Sequence, residues 1–399
     1  MNQATADFIC RNADADVRQL ALRGAKAPDV DLPYALDQIA GRQTAQRKLP
    51  SWAIIDGIVY PPHLSMEQCS SEPTARYKGV LANKCYTKGS TRFVDLTGGF
   101  GVDFAFMAQA LSSRIPHFTY VERQEHLCAI AKENFRLLGL PQAEVVCADS
   151  VEYLRTMDSA DIVFLDPARR DGHGSRTYGI SDCTPDVLAL RDLLLQKARC
   201  VLLKLSPMLD WRKAVSDLGE QYIREVHIVS VHNECKELLL LLGPGNGLKL
   251  ICVNDDTVFE VDANSIDEAS LFGEPCAGKF LYEPNASIMK AGCFAALSHQ
   301  FGCAQIARNS HLFVTADFIG NFPGRIFQID AVTSLNKQEL KKHLGGIRQA
   351  NITVRNFPLS VAELRRRLKL NEGGDTYIFA TTIASGERVL LVCYKAKVT

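Results

Sequence analysis

The sequence predicts an α/β protein. Its centre is a Rossmann-like, doubly wound sheet, with a helical N-terminal lead and a C-terminal α+β ferredoxin-like domain. Three observations carry this. Short apolar strands alternate with helices from residue 92 to 243, a glycine-rich loop follows the first of those strands, and acids stand at the carboxyl ends of four successive strands. Strands apolar on both faces, separated by helices, imply a sheet buried on both sides.

The lead, residues 1–90, reads as mainly helical. Apolar positions at mixed three- and four-residue spacing predict helices over 6–22 and 32–47, and Pro61-Pro62 stops whatever precedes it. Ser70 or Ser71 is placed to cap a short helix beginning near Pro73, since proline suits a first turn. Glu72, Thr74 and Tyr77 in that segment are candidate pocket residues. Ordinary capping and a polar surface explain them equally well.

Phe93-Val94-Asp95-Leu96 is a short buried strand, Gly98, Gly99 and Gly101 form a loop, and residues 102–111 form a helix. The glycines admit positive φ and a close ligand, and the helix N-terminus offers free N–H groups. A dinucleotide fingerprint would need its third glycine at Phe104, and the Asp95 carboxylate would repel a pyrophosphate. The same carboxylate suits a cationic ligand. A second strand, 118–122, ends in Glu122, and a helix over 125–140 lines up Leu127, Ile130, Ala131, Phe135 and Leu138. A third strand, 144–149, ends in Asp149, and Ser150 stands at the cap of a short helix over 150–157. A fourth, 161–166, ends in Asp166, followed by Pro167-Ala168-Arg169-Arg170. Helix 185–197, strand 200–205 and helix 210–218 lead to an antiparallel pair, 225–231 and 237–242. One strand-end acid is usually a cap or turn residue. Four in register mark the edge at which open α/β sheets bind ligands.

Beyond the core, strands over 248–254 and 257–262 flank an Asp255-Asp256 turn, and a small mixed module follows. The tail then reads strand 325–332, helix 337–344, strand 352–356, helix 360–368 and a hairpin of 376–382 with 388–394. That order suits a ferredoxin-like sandwich. The expected organisation is thus a helical region at 1–90, a catalytic core at 91–245, a linking module at 246–320 and a basic domain at 321–399.

At 399 residues the chain is long enough for two or three domains. The first residues lack a basic segment followed by an apolar run, and no stretch approaches a membrane span, so the expected location is cytoplasmic. The 13 cysteines are scattered and never spaced C-x-x-C, which suits reduced core thiols, with neither a disulfide framework nor a metal site. Net charge is zero but uneven. From residue 321 onward there are 13 Lys and Arg against six Asp and Glu, and elsewhere 32 against 39. A basic tail on an acidic body suggests a polyanionic partner, although a solvated basic face is the plainer reading.

With its strand-end acids and glycine loop, the chain resembles class I S-adenosylmethionine (AdoMet) methyltransferases over residues 92–243. Thr97 stands where their first motif has its first glycine. EQCSSEPTARYK in the lead, DLTGGFGVD and DPARRDGHGSR in the core, YEPNASIMKAG and a basic tail together resemble bacterial methyltransferases with a THUMP-like domain. The resemblance implies that Asp95, Thr97, Gly98, Gly99 and Gly101 flank the methionine part of AdoMet. It implies that Glu122 holds the ribose hydroxyls and that Asp149 accepts from the adenine amine. Asp166-Pro167-Ala168-Arg169 occupies the place of a D/N-P-P-x motif used where methyl goes to a base or amide nitrogen, with Ala168 replacing the second proline.

On this reading Asp166 and the carbonyl after Pro167 align the acceptor nitrogen. Arg169, Arg170 and Arg176 are candidates to clamp a phosphate or a base edge, or else pair with Asp171 or Asp182. Lys204, ending the fifth strand, faces the same edge. Arg365, Arg366 and Arg367, with Lys369, lie on one helix of the tail, and the resemblance to THUMP modules implies RNA contact there. Cys183 and Cys200 are the cysteines nearest the acceptor loop, and neither sits in a Pro-Cys pair. The favoured function is methylation of a base nitrogen of rRNA or tRNA. Two alternatives stay open: a protein or small-molecule methyltransferase with the tail as docking module, and a non-catalytic AdoMet- or RNA-binding protein.

Overall fold

The computed structural model describes residues 1–24, 29–169, 179–245, 247–262, 265–266 and 269–396. Contacts divide the chain into two compact units. The first joins Met1–Val226 with Lys236–Leu248, and the second joins His227–Cys235 with Lys249–Thr399.

Unit 1 opens with six helices among the described residues: α1 (Gln3–Arg11), α2 (Val17–Arg23), α3 (Leu32–Lys48), α4 (Pro50–Ala53), α5 (His63–Gln68) and α6 (Glu72–Cys85). The single helix expected over 6–22 is two, because the Asp16 carboxylate accepts the Arg18 and Gln19 N–H groups and starts a new helix. Ser71 occupies the N-cap of α6 without making a side-chain cap bond. Ser70 is no cap either, and its hydroxyl donates to Asp103 Oδ2 at 2.8 Å.

The core follows as β1 (Arg92–Asp95), α7 (Val102–Leu111), β2 (His117–Glu122), α8 (Glu125–Leu137), β3 (Glu144–Cys147), α9 (Ser150–Thr156) and β4 (Ala160–Leu165). Two-residue strands β5 (Ala168–Arg169) and β6 (Cys183–Thr184) pair with each other. Then come α10 (Val187–Lys197), β7 (Ala198–Leu205), α11 (Trp211–Leu218), β8 (Ile223–Val231) and β9 (Glu234–Leu242). The sheet runs β8-β9-β7-β4-β1-β2-β3. β1 pairs in parallel with both β2 and β4, β4 with β7 and β2 with β3, whereas β9 runs antiparallel to β7. The order therefore reverses between β1 and β4, which makes their carboxyl ends the switch point. Phe93, Val94, Tyr120, Val121, Val163, Leu165, Val201 and Leu240 are all fully buried, as a two-sided sheet requires. His232 and Asn233, with φ of 51° and 60°, form the two-residue link of the β8–β9 hairpin, a conformation matched to strand twist. Among the scattered cysteines, Cys85 of α6 and Cys200 of β7 bring their sulfurs against each other.

Unit 2 contains β10 (Lys249–Asn254) and β11 (Thr257–Asp262), antiparallel about Asp255, whose φ is 52°. A second sheet is built from β12 (Phe280–Pro284), β13 (Ala304–Gln305), β14 (Phe313–Thr315), β15 (Gly324–Thr333), β16 (Asn351–Arg355), β17 (Thr376–Thr382) and β18 (Arg388–Lys395). Helices α12 (Ala286–Ala291) and α13 (Phe294–Phe301) precede β13, while α14 (Lys337–Leu344) and α15 (Val361–Leu368) follow β15 and β16. The strand order is β13-β14-β12-β15-β18-β17-β16. One core packs Leu281, Phe327, Ile329, Phe379 and Leu391, and a second packs Leu344 of α14 and Leu364 of α15 on Ile352, Ile378 and Leu390. Neighbouring residues of β17 (Ile378, Phe379) and β18 (Leu390, Leu391) go to different cores, which is the period of two of a sheet covered on both faces.

Candidate active site at the carboxyl edge of the sheet

The turn after β1 is shaped by two aromatic rings. A Cβ on Gly98 would lie 2.1 Å from the Tyr120 ring, and one on Gly101, at φ +85°, would lie 2.9 Å from the Phe135 ring. Glycine is therefore required at both places by close approach, and at Gly101 also by its backbone. The Tyr120 hydroxyl donates to the Gly99 carbonyl, and the Gly98 N–H donates to the Val121 carbonyl at 2.9 Å. The loop is thus fastened to β2 before any ligand arrives.

Three of the strand-end acids converge on this loop. Asp95 is fully buried. Its Oδ1 accepts from the Thr97 N–H at 2.9 Å, and its Oδ2 has no hydrogen-bond partner among the described residues. Burial pushes the Asp95 carboxyl well above its ordinary range, the Thr97 N–H opposes this, and the charges of Asp103, Asp166 and Glu122 push it further up. Glu122 accepts from the Gly99 N–H at 3.0 Å and from the Gln124 N–H at 2.9 Å, so each of its oxygens is held by backbone. Carboxylate oxygens have more than one lone pair, so this fixes Glu122 without using up its acceptor capacity. Thr97 joins the first and fourth strands, since its hydroxyl accepts from the Asp166 N–H at 2.6 Å.

Asp149 is set differently. It lies two residues beyond β3, is exposed, and caps α9 by accepting from Val151 and Glu152 N–H at 2.9 and 3.2 Å. The cap expected at Ser150 is therefore supplied by Asp149.

Next to the loop is a buried group of charges that the sequence reading did not single out as a set. Lys204 Nζ is 2.6 Å from Asp166 Oδ2 and 3.3 Å from Asp103 Oδ2. Lys78 of α6 is 3.2 Å from Asp103 Oδ1 and 2.6 Å from Glu237 Oε2. Burial opposes the charge on Lys204, yet Asp166, Asp103 and Glu237 together raise its pKa well above the usual lysine value. Burial also opposes the charge on Asp103, but Lys78 and Lys204 outweigh it and hold that carboxyl below its ordinary range. For Glu237 burial prevails and the pKa is raised. Asp103, in the first turn of α7 just after the glycines, carried a sequence signal, because acids favour helix N-termini. Lys78 and Glu237, 159 residues apart, carried none.

Glu72 accepts from the Ser51 N–H at 2.8 Å and from Arg76 Nε at 2.9 Å, and Thr74 donates to the Ser71 carbonyl, so both serve the fold of the lead. Pro167 is buried. The Arg169 side chain, Arg170 and Arg176 lie outside the described residues. In unit 2 the Ser360 hydroxyl and Glu363 close a capping box on α15. Arg365 donates to the Ala350 carbonyl at 3.2 Å, whereas Arg366 and Arg367 are exposed.

A family profile described as THUMP domain-like matches residues 324–395, and one described as a ferredoxin-like domain matches residues 280–323. A solved structure of a candidate methyltransferase from Porphyromonas gingivalis W83 is 31% identical, covers 99% of this chain and 98% of its own, and superposes with a TM-score of 0.85. A candidate class I AdoMet-dependent methyltransferase from Listeria monocytogenes is 11% identical over 63% of this chain and 94% of its own, with a TM-score of 0.41. No curated protein matches the sequence.

Proposed function

This chain belongs to the family of class I methyltransferases that carry a THUMP-like tail, and we propose that it methylates a base nitrogen of rRNA or tRNA with AdoMet as donor. The observation that carries the reading is the Thr97 link, which sets Asp166 against the loop that holds Asp95 and Glu122.

The residues of this edge fit AdoMet. A buried carboxylate oxygen with no partner among the described residues, at Asp95, is the acceptor that an ammonium-bearing cation supplies with a donor. Several carboxylates around one loop favour a positively charged ligand further. Asp95, Thr97, Gly98, Gly99 and Gly101 would flank the methionine part, Glu122 the ribose, and Asp149 the adenine. When bound, AdoMet supplies a methyl group on a sulfonium, open to in-line displacement.

The chain's own work is then positioning. Lys204 engages Oδ2 of Asp166, and Oδ1, which no described residue engages, would accept a hydrogen bond from the acceptor amine. The backbone carbonyl after Pro167 is the second acceptor, steadied by proline's fixed φ. Two acceptors aimed at one amine orient its lone pair. The cluster of Lys78, Asp103 and Glu237 holds Lys204, and through it Asp166, in place. The THUMP-like segment and the basic excess after residue 321 support RNA as the substrate class.

The test is methyl-nucleoside mass spectrometry of rRNA and tRNA from a strain lacking this protein. One methylated base should be missing, and it should return with the wild-type chain but not with Asp166→Ala. A full set of methylated bases in the deletion strain would remove RNA as the substrate.

A further inference from the structure

We propose that a pocket in unit 2, between Phe318 and Lys395, holds one unpaired base of an RNA strand with its phosphate. The proposal rests on the RNA reading above and adds a place of contact to it. The pocket is an open groove of about 250 Å³ lined by Phe318, Arg325, Ile326, Phe327, Lys395 and Ala396. It lies where the start of β15 meets the end of β18. Phe327 faces Lys395 across the ladder, and the Ala396 N–H donates to the Ile326 carbonyl at 3.2 Å. Phe318 comes from the segment before residue 324, so the pocket forms only where the two matched segments meet.

Its chemistry is that of a nucleotide site. Phe318 is pinned edge-to-face by Phe280 at a centroid distance of 5.4 Å, yet 38% of it is exposed. A fixed, open phenyl ring offers a stacking face to any base. Lys395 Nζ stands 5.9 Å from the Tyr377 ring centroid and makes no ion pair among the described residues. The Arg325 guanidinium lies 5.5 Å from the Phe327 ring centroid. Arg325 also bonds the buried Glu283, but Glu283 holds Arg355 as well, with Nη2 at 3.0 Å, so this cluster keeps one positive charge in excess. None of the lining side chains is a carboxylate. Cations beside an exposed ring select an anion that carries an aromatic face. The volume is below the roughly 300 Å³ at which small-molecule pockets begin, so it suits one planar group of a longer chain better than a free ligand.

The experiment is fluorescence anisotropy of the full chain with a fluorescein-labelled 20-nucleotide single-stranded RNA, over a salt series, beside the same RNA as a duplex. The single strand should bind more tightly than the duplex, whose bases are stacked. Phe318→Ala should weaken single-strand binding about tenfold, the scale of one lost base stack, and leave the salt slope unchanged. Phe318→Trp should retain affinity. Lys395→Gln should reduce the salt slope by roughly 0.7, as one lost phosphate contact does. Wild-type affinity in Phe318→Ala, equal weakening by Ala and Trp, or equal binding of duplex and strand would overturn the pocket while leaving the RNA reading intact. Absence of any RNA binding by the wild type would overturn the pocket and take the tail's support for the RNA reading with it.

Discussion

At the sheet edge of unit 1, Lys78, Asp103, Lys204 and Glu237 have side chains no more than 13% exposed, and each lies within about 3 Å of an opposite charge. On α15 of unit 2, Arg366 and Arg367 are exposed, and the helix is anchored by Leu364 and its capping box instead. Buried ions stay charged only with partners in place, so any change there is felt throughout the fold. Exposed ions are hydrated and screened, so removing them changes what binds and leaves the fold alone. One chain thus uses charge as an internal constraint in one region and leaves it hydrated at the surface in the other.

The strongest way to break this contrast is at Lys78. Lys78→Ala leaves Asp103 and Glu237 buried beside a lost cation and should destabilise the protein by about 3–5 kcal/mol. Chemical denaturation checks this, and pairing the change with Glu237→Gln should return part of the loss. A cost within the range of surface substitutions would mean that the buried cluster is not a constraint.

Next in size is Glu122, whose carboxylate is held by the Gly99 and Gln124 N–H groups. Glu122→Ala should weaken AdoMet binding by about 1.5–3 kcal/mol, read by calorimetry. Unchanged affinity would remove Glu122 from the cofactor site.

Asp95 sharpens the comparison through pH. Its folded pKa is raised, so the folded chain holds the proton more tightly than the unfolded one. Its contribution to stability is full below the ordinary carboxylate range and is lost as pH rises through the raised value. AdoMet binding should strengthen over the same rise, because the ionised form favours the cation. Melting temperature and affinity measured against pH should both lose this dependence in Asp95→Asn.

The smallest effect on the fold belongs to α15. Arg366→Gln with Arg367→Gln should change stability by less than about 0.5 kcal/mol. If both side chains meet phosphates, the double variant should lower the salt slope of RNA binding by roughly 1.4. A large loss of stability would assign these arginines to the fold, and an unchanged slope would leave them simply solvated.

Local pattern determined most of the architecture. Two-residue and three-to-four-residue apolar periods, glycines and caps are properties of neighbours in the chain, so the alternating core and the β-α-β-α-β-β tail are legible at their expected places. The same holds for Asp95, Glu122 and Asp166, since a strand's end and the acid on it lie side by side in sequence. Asp149 is legible in the same way, and in the structure its carboxylate also caps α9.

What only the tertiary structure decided are relations between distant segments. The strands before and after residue 321 share one sheet because β12 pairs with β15. Gly98 is needed because Tyr120 lies across it from the next strand. Lys78, Asp103, Lys204 and Glu237 come from a lead helix, the glycine-loop helix and two strands, and nothing in the residues around Lys78 or Glu237 marks either as buried. A charge enters the interior only when partners arrive to offset its lost hydration. Those partners are chosen by how the elements pack, and packing joins residues that the linear order keeps apart.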